Sequence, residues 1–369
     1  MLLGQMFEEL RPLVDSGNAV EISSSPGVGK SESGKQWAKK QSEIDGFEWG
    51  VCTLFLATQT PVDLLGYLIP GTKEWKNALT GATTTTRVSE FTRPIWTLSD
   101  DGIPLENFQR SVLFLEEADK CETDVTKTSA EIRLNASLGP WRFDRKKLAR
   151  VAFTNRAIDR SGSGKKFDYI INRQFEFQVL ADLEGWRDNY ALPHGVDPLF
   201  VAFACKYPEV VFANKVPEVQ GPYCTPRSFC NLADVLPRRV TADGQMKVDS
   251  VTSEIITGAI GQAAGMQLMA WIKLRHETPD WEDIIKDPKG IAIPVKPDAQ
   301  LMTCYECAHR VDVKTAGKAV DYIKRLPAQF SVTFAKAAVK RNYDLINTPS
   351  FLDWVSKNAS LLNAIGGTK

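Results

Sequence analysis

The stretch Glu21-Ile22-Ser23-Ser24-Ser25-Pro26-Gly27-Val28-Gly29-Lys30-Ser31-Glu32-Ser33 decides how this chain is read. From Ser24 to Ser31 it follows the pattern G-x-x-x-x-G-K-[ST], except that serine stands at the first glycine. Gly27 and Gly29 let the backbone turn so that successive N–H groups converge on one point, which suits phosphate oxygens. Lys30 adds a point charge for the outer phosphates, and the Ser31 hydroxyl suits magnesium. The expected phosphate-binding positions are therefore Pro26, Gly27, Val28, Gly29, Lys30 and Ser31. The flanks agree with this reading. Asn18 to Ile22 is a short apolar strand candidate, and the run from Lys30 to Lys40 suits a helix whose N-terminus faces the anion. Ser24 can adopt a turn at modest cost, so it weakens the motif without removing it.

The chain has 369 residues, enough for a large core in two or three domains. It carries 45 Lys and Arg against 45 Asp and Glu, and this zero net charge argues against a generally basic nucleic-acid coat. No apolar run reaches membrane-spanning length. Residues 1–17 mix acids among apolar positions and read as an amphipathic helix, not a signal peptide. The seven cysteines are odd in number and scattered, which suits a reducing cytosol and a cytoplasmic protein. Cys304 and Cys307 form a lone C-x-x-C near His309, but no fourth zinc ligand stands at suitable spacing, so reduced structural thiols are expected. His194, His276 and His309 show no ligand pattern.

The first part of the chain alternates strand and helix patterns. Strand candidates after the loop are Trp49 to Leu56, Ser111 to Leu115, Leu148 to Thr154 and Gln174 to Val179. Apolar runs alternating with helices predict an α/β core with a parallel sheet covered on both faces. Beyond residue 180 helical periods take over, as in Val251 to Arg275 and Ser331 to Asp344. The expected domains are an α/β nucleotide-binding core over 1–180, an α-helical lid over 181–275 and a helical extension over 276–369.

Val112-Leu113-Phe114-Leu115-Glu116-Glu117 is a buried strand ending in two acids. A nucleotide hydrolase needs such a pair: the first acid orients magnesium and the second polarises the attacking water. The usual pair is Asp-Glu. With glutamate first, Glu116 would hold magnesium through water. Asn155 ends another strand, where ligands sit in parallel sheets, and is suited to position water.

In order, the phosphate loop, the acidic strand end, Asn155, Asn172-Arg173 before a strand, and Thr225-Pro226-Arg227 resemble the AAA+ ATPases. Within them the chain looks most like the MoxR-type branch, through Pro61-Val62-Asp63-Leu64-Leu65-Gly66 and the Leu138 to Lys147 hairpin with Trp141, Arg142 and Phe143. The resemblance covers roughly residues 15 to 275. It implies that Lys30 and Ser31 bind the phosphates and Mg2+ of ATP, with Glu116 supporting the metal. It implies Glu117 as the catalytic acid, Asn155 as the sensor in the core, Arg173 as a finger reaching a neighbouring subunit's γ-phosphate, and Arg227 as the sensor in the lid. Arg156 and Arg160 compete with Arg173 for that role. The resemblance further implies a homo-oligomer, either a hexameric ring or an open spiral, that remodels a protein or complex. A partner bearing a von Willebrand factor A-like domain follows from family habit alone. Ser24 and Glu116 depart from the family pattern and put the hydrolysis rate in question more than nucleotide binding.

Three weaker features complete the reading. Thr83 to Thr86 is an exposed turn or strand in an insertion. The basic cluster Arg142, Arg145, Lys146, Lys147 and Arg150 around Trp141 and Phe143 either grips nucleic acid or forms a solvated hairpin with one buried ring, and the second is preferred. Tyr67, Trp75 and Trp96 either line a pore or, as preferred, fill core and subunit contacts. The alternatives to a remodelling ATPase are a nucleic-acid motor or loader and an ATP-dependent assembly scaffold with little turnover.

Overall fold

The computed structural model describes residues 1–159, 166–241 and 246–357. The chain divides into two compact units, Met1–Leu180 and Ala181–Lys369. The strands of the first unit are β1 (Ala19–Ser24), β2 (Gly50–Phe55), β3 (Leu68–Lys76), β4 (Thr83–Phe91), β5 (Ser111–Glu116), β6 (Ser137–Leu138), β7 (Trp141–Arg142), β8 (Leu148–Asn155) and β9 (Gln174–Gln178). Its helices are α1 (Leu3–Asp15), α2 (Lys30–Asp45), α3 (Pro61–Leu65), α4 (Thr123–Asn135) and α5 (Asp168–Ile171).

Five strands form one wholly parallel sheet in the order β2-β5-β8-β1-β9. The expected parallel sheet is thus present, and both faces are covered for the reason the sequence suggests. Side chains alternate across a strand. On β5, Val112 and Phe114 join the cluster of Met6, Leu10, Trp37 and Phe153. Leu113 and Leu115 join Leu54, Trp96, Val125 and Ile132 on the other face. A strand buried on both sides must be apolar throughout. Each fully buried leucine or phenylalanine contributes about 1.5–3 kcal/mol, so these stripes hold the layers together. Helix α1 buries Leu3, Met6, Phe7, Leu10 and Val14, the helical spacing expected of residues 1–17.

The β3–β4 hairpin stands apart from the main sheet and is almost entirely exposed. Thr83 to Thr86 open β4, in keeping with the preference of β-branched residues for extended backbone. Of the three aromatic residues weighed for a pore or core, Trp96 is fully buried, with its indole N–H donated to the Leu64 carbonyl at 2.8 Å. Tyr67 and Trp75 are exposed.

The second unit is helical. The expected helical stretch from Val251 to Arg275 is two helices, Ser250–Ile260 and Gln262–Lys273, broken at Gly261. One buried cluster runs from Phe200, Phe203 and Trp271 to Cys304, Phe334 and Phe351, so apolar packing is continuous across residue 275. Cys304 and Cys307 lie inside the helix Pro297–Arg310, both buried. Among the described residues no cluster of His, Cys, Asp or Glu is arranged to hold a metal ion, and no helix is long and apolar enough to cross a membrane.

Candidate functional site

Strand β1 runs directly into the loop at Ser25 to Gly29 and then into α2. Gly27 and Gly29 have φ of 75° and 97°, a region where a side chain is strained. At Gly29 a Cβ would meet nothing within 4 Å, so backbone conformation and not space selects glycine there. Gly34, one turn into α2, is the opposite case. Its Cβ would come 3.0 Å from the rings of Phe114 and Phe153, so glycine lets the helix lie close on the sheet. No side chain caps the N-terminus of α2. The first-turn N–H groups, the turned loop and the Lys30 ammonium therefore offer converging donors to an anion, and these residues fit a phosphate group.

Ser24 departs from its expected turn conformation. It is the last residue of β1, fully buried, and pairs in register with Asn155. Its carbonyl accepts the Arg156 N–H at 3.2 Å, which keeps the backbone extended. The Ser24 hydroxyl donates to the Ser25 carbonyl at 2.8 Å and accepts from the Lys30 ammonium at 2.7 Å. The same ammonium is 3.5 Å from Asn155 Oδ1. The non-glycine residue thus gives the loop lysine an acceptor, and the ammonium bridges Ser24 and Asn155, which pair on adjacent strands.

Glu116 ends β5 and is buried, while Glu117 is half-exposed and adopts φ of 52°, left-handed for a residue with a side chain. Its carboxylate pairs with Lys120 at 2.8 Å. The next residue, Ala118, donates its N–H to the Phe153 carbonyl at 3.2 Å, tying the acidic strand end to β8. Because β8 lies between β5 and β1, Asn155 stands between the acidic strand end and the phosphate loop. The chain crosses from β8 over β1 to β9, so strand order reverses beside β1, where parallel sheets hold ligands at their carboxyl ends.

Arg173 is exposed just ahead of β9 and follows α5. Its competitor Arg156 makes a two-pronged ion pair with buried Asp159, both contacts at 2.8 Å. Arg160 lies outside the described residues. Arg227 is exposed in the first turn of the helix Pro226–Val235, which Thr225 caps by accepting from the Ser228 N–H at 3.1 Å.

The basic cluster is corrected in part. Arg150 is fully buried in the sheet and donates to the carbonyls of Gly17, Arg133, Arg145 and Leu148. Arg145 donates to the Gly17 carbonyl as well, at 3.2 and 3.3 Å. Only Arg150 leaves the surface; Arg142, Arg145, Lys146 and Lys147 are exposed, Arg145 while bonded to the Gly17 carbonyl. Trp141 and Phe143 are both half-buried, so the hairpin has two partly sheltered rings and not one buried ring. Phe143 meets Trp96 edge-on at 5.5 Å, and the Arg93 guanidinium covers Trp141 at 4.8 Å.

One residue the sequence reading passed over is Glu21. It is fully buried in β1, three residues before Ser24. Its carboxylate accepts from Thr154 and Gln174, each at 2.9 Å, and pairs with Arg133 and Lys166. Burial alone would raise its pKa, but Arg133 and Lys166 outweigh that and hold it down at about 2. The signal was available: a carboxylate amid an apolar strand must find cations or hydrogen-bond donors.

No protein-family model matches the sequence, and no curated protein matches it. Among solved structures, a Cytophaga hutchinsonii protein named as an ATPase aligns at 13% identity and TM-score 0.33, over 100% of this chain and 89% of that one. NtrX from Brucella abortus in complex with ADP aligns at 12% and 0.32, over 98% and 68%. A RuvB mutant from Thermotoga maritima aligns at 12% and 0.31, over 95% and 87%. The fold stands on the parallel strand order and on the glycine-rich loop between β1 and α2: an α/β core of the P-loop class followed by a helical C-terminal region.

Proposed function

We propose that the chain is an ATP-binding and ATP-hydrolysing AAA+ protein of the MoxR type, which oligomerises and uses ATP to remodel or assemble a protein complex. The observation that carries the ATPase part is the placement of Lys30, Asn155 and Glu116-Glu117 together at the carboxyl ends of the adjacent inner strands β1, β8 and β5 of a parallel sheet. In this reading the loop from Pro26 to Ser31 holds the phosphates, through the N–H groups of Gly27 to Ser31 and the Lys30 ammonium. Ser31 and Glu116 hold magnesium, which when bound neutralises charge developing on the phosphate oxygens. Glu117 accepts the proton of the attacking water, and Asn155 orients that water. Arg173 acts on the site of a neighbouring copy, where a guanidinium stabilises the transferred phosphoryl charge. Arg227 senses nucleotide from the helical region.

The exposed β3–β4 hairpin, inserted between β2 and β5, and the β6–β7 hairpin ahead of the Asn155 strand support the MoxR-type part. A hexameric ring or spiral, a protein substrate and a partner with a von Willebrand factor A-like domain belong to the same proposal. So does the functional division of the second unit into a lid over 181–275 and an extension over 276–369.

The test is ATPase activity per subunit over a range of protein concentrations, with Lys30→Ala, Glu117→Gln and Arg173→Ala beside the wild type. The proposal expects activity per subunit to rise with concentration and all three variants to lose it. Wild type that binds ATP yet shows no hydrolysis at any concentration would refute the motor. Nucleotide would then serve assembly alone. Hydrolysis that requires DNA and falls with added salt would instead favour a nucleic-acid motor.

A further inference from the structure

The Glu21 carboxylate collects four donors, as many as its lone pairs accept. Thr154 and Lys166 reach Oε1, while Gln174 and Arg133 reach Oε2. Two of these, Lys166 and Gln174, are the two ends of the segment that presents Arg173. Between them the chain makes the short helix α5, buries Ile170, and leaves Asp168, Tyr169, Ile171, Asn172 and Arg173 exposed. The two ends are held differently. Gln174 already belongs to β9 and pairs with Ala19 in the sheet. Lys166 lies in no strand or helix, and its ammonium is fixed by Glu21 and by Glu176 at 2.7 Å. The segment's own backbone bonds, such as Arg173 N–H to the Ile170 carbonyl at 3.2 Å, shape it locally but do not fasten it to the sheet.

We propose that Glu21 is a positioning residue. Its buried carboxylate clasps both ends of segment 166–174 to the strand that leads into the phosphate loop, and so fixes the attitude of Arg173. The inference rests on the reading of Arg173 as a residue acting on a second copy's nucleotide. Its physical basis is that one rigid strand carries both the cis phosphate loop and the anchor of the trans arginine. A displacement of about 1 Å at a catalytic group can cost about a hundredfold in rate, so an exposed arginine on a short turn needs such an anchor. The Thr154 bond adds a second link, since Thr154 adjoins Asn155 on β8.

The experiment mixes two kinds of subunit. Arg173→Ala protein keeps an intact phosphate loop and Glu117 but supplies no arginine. Glu117→Gln protein supplies Arg173 but is expected to have a dead site, so mixing the two should restore hydrolysis. The donor is then made Glu117→Gln with Lys166→Met. This change removes the clasp at its exposed end and leaves Glu21 paired with Arg133, so the fold survives. The expected result is at least about tenfold less restored activity, with the donor's own affinity for a fluorescent ATP analogue unchanged. Amide exchange in 167–173 should be faster while β1 and β8 stay protected. A donor with Lys166→Arg should restore activity. If the Lys166→Met donor restores hydrolysis as well as its parent, the clasp is refuted. Loss of the donor's own nucleotide affinity in step with its donor activity would also refute it, by showing general damage. If Arg173→Ala protein alone hydrolyses ATP at the wild-type rate, the reading of Arg173 fails and the inference falls with it. That outcome is distinguishable because it needs no mixing.

Discussion

Replacing Glu117 by glycine should leave a more stable protein than replacing it by alanine, the reverse of the usual order. Glu117 has φ of 52°. A residue with a Cβ in the left-handed region costs about 1–2 kcal/mol, whereas glycine adopts it freely. Against this stands the greater freedom of glycine in the unfolded chain, which ordinarily favours alanine by about 0.4–1 kcal/mol. The difference leaves glycine ahead by about 0.5–1 kcal/mol. The Lys120 ion pair is exposed and lost in both variants, so it cancels. Urea unfolding without nucleotide measures the effect. With a slope of about 1–3 kcal/mol per molar urea, the glycine midpoint should lie a few tenths of a molar higher. Gly46→Ala is the control. It has φ of 72°, and an added Cβ would meet nothing within 4 Å, so the loss of stability there isolates the backbone cost. An alanine variant at 117 as stable as the glycine variant, with the control behaving as expected, would refute strain at this position. Under the proposed function both variants lose hydrolysis, and the strain marks a catalytic residue held against its local preference.

Glu21 makes stability pH-dependent. Its folded carboxyl sits at about 2 against an ordinary 4.5, because Arg133 and Lys166 outweigh burial. A lowered carboxyl contributes stability fully above its unfolded value and loses it as pH falls toward the folded one. About 3 kcal/mol should therefore disappear between roughly pH 5 and 2. Urea midpoints across that window, compared with those of Glu21→Gln, check it; equal pH dependence in both would contradict it. Arg150→Met should cost about 3 kcal/mol or more, because it strips a buried cation from carbonyls that it holds at 2.7–3.1 Å. An unchanged urea midpoint would show that those carbonyls find other partners. Gly29→Ala should weaken binding of a fluorescent ATP analogue at least tenfold, an order-of-magnitude expectation from loss of the left-handed turn, with little change in far-ultraviolet circular dichroism. Retained affinity would mean that the loop does not need φ of 97° at that residue.

Much of this protein was written locally. The phosphate loop is a run of adjacent residues whose turn chemistry needs no distant partner. The strands announced themselves as apolar runs, because a doubly covered strand has no wet face on which to place a polar residue. Glu116, Glu117 and Asn155 were visible as polar ends of such runs. What only the tertiary structure decided are the pairings between residues far apart in the chain. Strand order set β8 between β5 and β1 and so brought Asn155 to Lys30. It turned Ser24 from a defect in a pattern into an acceptor for the loop lysine. It took Arg150 out of a surface cluster and buried it among carbonyls. It joined Glu21 to Arg133, Lys166 and Gln174, each more than a hundred residues away. The physical reason is the same in each case. Turn geometry and side-chain alternation are properties of neighbouring residues, whereas a buried charge is stable only beside partners that the fold delivers.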